Sequence, residues 1–130
     1  MRTEILEKII ENKNFPTVYL ANMKITDNEI PEILEIIQRV QPNASKIDLD
    51  NNNIGDKGAI ILSKQLSNFN NITELSLQFN DIGREGAINL FSLKKVFLNL
   101  DILFHGNQIT NVSEMAEIEH LALQQDSLTP

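Results

Sequence analysis

The sequence predicts an α/β fold: a short horseshoe-shaped solenoid of about four parallel strand–helix repeats, with a helical cap at both ends. Three observations predict it. A series of apolar residues, Asn, Ile and Gly recurs every 27–29 residues. Within each copy the apolar spacing switches from two, which suits a strand, to three and four, which suits a helix. The composition, 42% hydrophobic and 22% charged over 130 residues, is that of one globular unit rather than a disordered chain.

Taken in order, residues 1–14 are expected to form a capping helix. Ile5, Leu6, Ile9 and Ile10 share one side of it, and Thr3 is placed to act as its N-cap. Residues 15–112 hold the repeats. The central copy reads Ile47, Leu49, Asn52, Ile54, Gly58, Leu62, Leu66, and the next reads Leu75, Leu77, Asn80, Ile82, Gly86, Leu90. A later copy has Ile102, Phe104, Asn107 and Ile109; a degenerate earlier one has Val18, Leu20, Met23 and Ile25. The apolar-x-Leu pair puts two side chains on one face of a short strand. The Asn amide can donate and accept, so it can satisfy backbone groups that the turn out of the strand leaves unpaired. Helical spacing follows in Ile30, Ile33, Ile37, Val40; in Ile61, Leu62, Leu66, Phe69; and in Ile88, Leu90, Phe91. Gly58 and Gly86 fall early in those helices, where a side chain is expected to hold helix and strand apart. Met23 and Ser113, standing where the series has Asn and Gly, read as effects of the chain's ends. Residues 113–123, with Met115, Ile118, Leu121 and Ala122 on one side, are expected to form the second capping helix, and 124–130 a disordered tail.

This series resembles the leucine-rich repeat family, in its ribonuclease-inhibitor-like subtype with repeats of 28 or 29 residues and an outer α-helix. The resemblance covers roughly residues 15–112 and rests on Leu49, Asn52, Ile54, Gly58 and their partners one copy on. It implies a binding module that holds a protein on the concave, strand-bearing side.

Composition excludes much else. With no cysteine there is no thiol nucleophile, disulfide or cysteine-ligated metal. A net charge of −7 argues against a phosphate-backbone binder, so nucleic acid is not an expected partner. No apolar run approaches the ~18 residues that span a bilayer, and the N-terminal segment is charged and amphipathic rather than a signal peptide. The expected setting is cytoplasmic, with no membrane partner. Asp48, Asp50 and Asn52 mimic the start of a calcium loop, but that loop needs Gly and Glu where Asn53 and Ala59 stand. His105 and His120 have no metal-ligand spacing. No cofactor, metal or catalytic constellation is expected, and the chain is read as not an enzyme.

Stacked strands align equivalent residues in rows ~4.8 Å apart. The rows facing the concave side are Thr17, Lys46, Glu74, Asp101; Tyr19, Asp48, Ser76, Leu103; Ala21, Asp50, Gln78, His105; and Asn22, Asn51, Phe79, Gly106. One lysine faces four carboxylates there, a net of −3 out of −7. Tyr19, Phe79 and Leu103 lie among the acids as apolar anchors, an arrangement typical of protein interfaces. The expected partner-binding set is Tyr19, Lys46, Asp48, Asp50, Asn51, Glu74, Ser76, Gln78, Phe79, Asp101, Leu103 and His105. The expected partner is a protein with a basic patch, met by a chain that is monomeric by itself.

Two functions follow: an inhibitor or regulator that covers the surface of a partner enzyme, and an adaptor that joins two proteins. A eukaryotic-looking repeat in a small chain rich in Asn and Ile, 16 and 18 residues, resembles effectors of intracellular bacteria delivered by type IV secretion. That resemblance implies action in a host cytosol, on a host protein or another effector. Glu114, Glu117 and Glu119 match the acidic block of such signals, although a solvated helix face is the favoured reading of them.

Overall fold

The computed structural model describes residues 1–124. Four strands, β1 Thr17–Tyr19, β2 Lys46–Asp48, β3 Glu74–Ser76 and β4 Asp101–Leu103, pair in parallel in sequence order. Helices α2 Ile30–Val40, α3 Asp56–Gln65 and α4 Arg84–Phe91 connect them, with α1 Thr3–Glu11 before β1 and α5 Val112–Gln124 after β4. Each crossover returns the chain one strand further along, so the molecule is a short α/β solenoid. The expected tail falls, from residue 125 onward, outside the described residues; Gln124 is the last residue of α5.

The strands are three residues long because the chain leaves the sheet at once after each apolar pair. Val18 and Leu20, Ile47 and Leu49, and Leu75 and Leu77 all point inward and are at most 1% exposed. Burying one such side chain contributes roughly 1.5–3 kcal/mol. The helices close the other side of this core through Ile30, Ile33 and Ile37, then Leu62 and Leu66, then Leu90 and Phe91. Val40, Ile61 and Ile88 are only partly buried, at the edge of the apolar stripe.

Leaving the sheet strands polar backbone, and the Asn residues answer it. Asn52 Oδ1 accepts the N–H groups of Met23 and Ile25 at 3.1 and 2.9 Å, while its Nδ2 donates to the carbonyls of Leu20 and Leu49, both at 3.0 Å. Asn80 accepts from Ile54 N–H and donates to Leu49 and Leu77. Asn107 accepts from Ile82 N–H and donates to Leu77 and Phe104. Each Asn ties its own turn to that of the preceding unit. In the first unit α1, not a strand and turn, lies on that side, and Met23 stands in the Asn position.

A second ladder joins the helix starts. Asp27 Oδ1 accepts from Gly55 N–H at 2.7 Å, and Asp56 Oδ1 accepts from Gly83 N–H at 2.7 Å and Gly86 N–H at 3.0 Å. Each carboxylate thus meets the positive end of the next helix. This corrects the reading of the helix glycines. A Cβ on Gly86 would lie 2.6 Å from Asp56 Oδ1 and 2.9 Å from Asp56 Cα, so the glycine makes room for the neighbouring helix start more than for the strand. The ladder ends at Arg84, which pairs with Glu114 at 3.3 Å and with Glu117. Those two acids are therefore engaged on the helix surface rather than simply solvated.

The ends differ. In α1, Ile5 and Ile9 are fully buried against the first unit, whereas Ile10 is 46% exposed. Arg2, not Thr3, takes the N-cap position, and its guanidinium donates to Glu29 at 2.8 Å and to Met23 O at 2.6 Å. At the other end α5 lies on α4 as α4 lies on α3, burying Ile118 and Ala122. Asn111 Oδ1 accepts from Ser113 and Glu114 N–H, a cap built within the unit.

Asn52→Ala removes hydrogen bonds that serve two units at once and leaves buried backbone groups unsatisfied. A loss of about 2–4 kcal/mol is expected in urea-induced unfolding.

Candidate protein-binding face

Thr17, Lys46, Glu74 and Asp101 stand in one register row, and Tyr19, Asp48, Ser76 and Leu103 in the next. The rows above them continue the ladder: Asn22 N–H donates to Asp50 O, Asn51 N–H to Gln78 O and Phe79 N–H to His105 O. All twelve candidate residues therefore lie on the sheet's concave side or on the turns just above it. They are not equivalent there.

Asp50 is committed to the fold. Its Oδ1 accepts from Ser76 Oγ at 2.6 Å and Gln78 N–H at 2.8 Å, and its Oδ2 accepts from Gln78 Nε2 at 3.2 Å. Ser76 is buried, a short side chain between those of Asp48 and Leu103, with its hydroxyl spent on Asp50. A partner would find little to bind at these three positions. Their role is to join the second unit to the third.

Asp48 is the strained acid. Partial burial pushes its carboxyl above the ordinary range, opposed by the Asp50 N–H that it accepts at 3.0 Å and reinforced by the charges of Asp50 and Glu74. Glu74 in turn stands beside Asp101 in the register, a like-charge cross-strand pair. Lys46 lies next to Glu74 in the same row but forms no ion pair among the described residues. Folding gains nothing from this crowding of acids.

Phe79 is the most telling residue of the face. Asn22, Asn51, Phe79 and Gly106 occupy one repeat position, and all four are left-handed, at φ of 60°, 55°, 58° and 83°. The turn from strand to ladder Asn demands that conformation. Asn and Gly adopt it at little cost, but a bulky aromatic there is an outlier and carries strain of order 1–3 kcal/mol. The ring gains no deep burial in return, being 50% exposed. It is nevertheless held in place. It meets the His105 ring in a T-shaped contact at a centroid distance of 5.6 Å, and it lies over Gly106, where a Cβ would come within 2.4 Å of Phe79 Cδ1. Gly106 thus serves the turn and the ring together. Tyr19 and Leu103, at 49% and 40% exposed, stand on the strands below.

The sequence showed this row but not its backbone. The left-handed requirement could have been inferred from Asn22, Asn51 and Gly106, three residues suited to it at one repeat position. The Asp27–Asp56 ladder had a signal too, since both follow the turn Ile by two residues.

Comparison with known proteins bears on the fold. The family described as Leucine Rich repeat matches residues 45–63 and 70–91. These segments are similar to leucine-rich repeats. Together with the parallel sheet and outer helices, they make the fold a short leucine-rich repeat solenoid. Among solved structures, Leiomodin-1 Actin-Binding Site 2 is 24% identical, with a TM-score of 0.71 over 91% of this chain and 70% of that one. A tropomodulin C-terminal domain from Caenorhabditis elegans is 14% identical, with a TM-score of 0.62 over 96% of this chain and 95% of that one. At these identities the likeness is one of fold. No curated protein matches the sequence.

The raised Asp48 carboxyl fixes the sign of a pH effect. Between the ordinary carboxylate value and the raised one, the folded state keeps a proton that the unfolded state has lost. Stability therefore falls as pH rises through that window. Asp48→Asn keeps an acceptor for the Asp50 N–H and removes the fall. Thermal unfolding is expected to show the variant more stable than the parent near about pH 7 and no longer so near about pH 3.

Proposed function

We propose that this leucine-rich repeat chain is a non-catalytic binding module whose concave face holds a basic protein surface against Phe79. Tyr19 and Leu103 extend the apolar contact, and Asp48, Glu74 and Asp101 supply the charge. The observation that carries the reading is the exposed Phe79 in a left-handed conformation that its Asn and Gly counterparts take cheaply. Strain without burial is unprofitable in the isolated protein, and a binding anchor accounts for it. The acids fit the same reading, because a basic partner relieves their mutual repulsion and speeds encounter. The fold supports it as well, and one structural neighbour is the actin-binding site 2 of leiomodin-1.

The module acts by covering what it binds. Inhibition or regulation of a partner enzyme is the primary form of this reading, in a cytosol that the cysteine-free composition suits. Delivery into a host cell by type IV secretion rests on the sequence features alone. A second reading, a scaffold joining two proteins, is favoured by the apolar residues exposed at the far end of the solenoid, among them Val112 at 85%.

The test uses Phe79→Asn, which fits the turn and removes the ring. Its melting temperature is expected to equal or exceed the parent's. Affinity for the partner, captured with this chain as bait or tried directly with actin, is expected to fall at least about fivefold, or ~1 kcal/mol. Glu74→Lys is expected to slow association. A partner retained equally by both variants would move binding off the concave face. Turnover of a captured enzyme, with and without the chain, separates inhibitor from scaffold.

A further inference from the structure

The fourth unit has no described neighbour on its outer side. At each internal boundary, one strand hands its outward backbone groups to the next: Leu49 N–H donates to Ser76 O, and Leu77 N–H to Leu103 O. At the turns, the N–H groups of Ile25, Ile54 and Ile82 reach the Asn Oδ1 of the following unit. The corresponding groups at the end are the N–H groups of Phe104 and Ile109. β4 is the edge of the sheet, and no described residue accepts them. The apolar layer is equally unfinished. Ile102 and Ile109 are only partly buried, where their counterparts in the central units are at most 1% exposed, and Val112 projects into solvent. Between the β4 turn and the start of α5 runs a groove of about 360 Å³, lined among others by Phe104, Ile109, Met115 and Ala116. At the opposite end α1 covers the apolar layer with Ile5 and Ile9.

We propose that this end receives an extended segment of another protein as a fifth parallel strand, one that carries the apolar-x-Leu-x-x-Asn pattern. The internal boundaries specify the pattern. The segment's backbone would accept the Phe104 N–H, its apolar pair would cover Ile102 and Phe104, and its Asn would accept the Ile109 N–H while donating to Phe104 O. A second copy of this chain cannot supply it. Its Asn-bearing strands are interior, and its other edge strand, β1, leads to Met23 instead of Asn. Residues 125–130, Gln-Asp-Ser-Leu-Thr-Pro, contain no Asn. The groove adjoins the concave face at His105, which also packs against Phe79, whereas Tyr19 on β1 stands at the opposite edge of the sheet.

The probe is a fluorescein-labelled synthetic peptide with the sequence of residues 45–55, titrated into the full chain and followed by anisotropy, with amide hydrogen exchange read at Phe104 and Ile109. Saturable binding is expected, with new protection at both amides. Asn52→Ala in the peptide, or Ala116→Arg in the chain, is expected to weaken it at least about tenfold. Ala116 is exposed, and a melting curve checks that its variant folds. Tyr19→Ala, on the opposite edge strand β1, is expected to leave this binding unchanged, which separates the end site from the concave one. Absence of binding, or binding indifferent to both changes, overturns the proposal. So does concentration-dependent dimerisation that Ala116→Arg abolishes, which would give the end to a second copy. Protection of Phe104 and Ile109 in the free monomer would also overturn it, since the chain would then cover its own edge.

Discussion

Three-residue strands leave a great deal of backbone to satisfy, and that requirement governs this molecule. Each turn away from the sheet exposes N–H and C=O groups beside an apolar core, where an unmet group is costly. One Asn amide in each of the last three units meets the demand, serving its own turn and the one before it. With Asn52, Asn80 and Asn107 in place, the apolar pairs can face inward and the helices can close over them. Asp27 and Asp56 repeat the device at the helix starts, where a single carboxylate meets the next unit's first amides.

The concave side is organised by a different balance. Asp50, Ser76 and Gln78 are internal fasteners. Asp48, Glu74 and Asp101 repel one another, and Phe79 holds a costly backbone angle. Natural domains tolerate such features where stability has been exchanged for binding or catalysis. That the costs gather on one face, while the convex side carries ordinary ion pairs such as Arg39 with Glu35, is the reason to look for a partner there.

The fold was legible because repetition multiplies a weak signal. One apolar-x-Leu-x-x-Asn-x-Ile series is a short motif; a second copy at constant spacing predicts parallel strands, their register and an inward face. The rows read from that spacing are the rows the sheet pairs. What stayed hidden depends on contacts between units. No pattern within one copy shows that Asp50 would be held by Ser76 and Gln78, or that Gly86 would yield space to Asp56. Arg2 at the first helix end was missed for the same reason: its ligands, Glu29 and Met23 O, lie more than twenty residues away.

The backward reach of the amides gives the chain a direction. A turn is completed by the unit that follows it, so during synthesis the segment around Ile25 must wait for Asn52 to leave the ribosome, and the segment around Ile54 must wait for Asn80. Until then each newest turn is open while older ones are sealed. Growth of the structure is therefore paced like a zip that lags the emerging chain by one tooth.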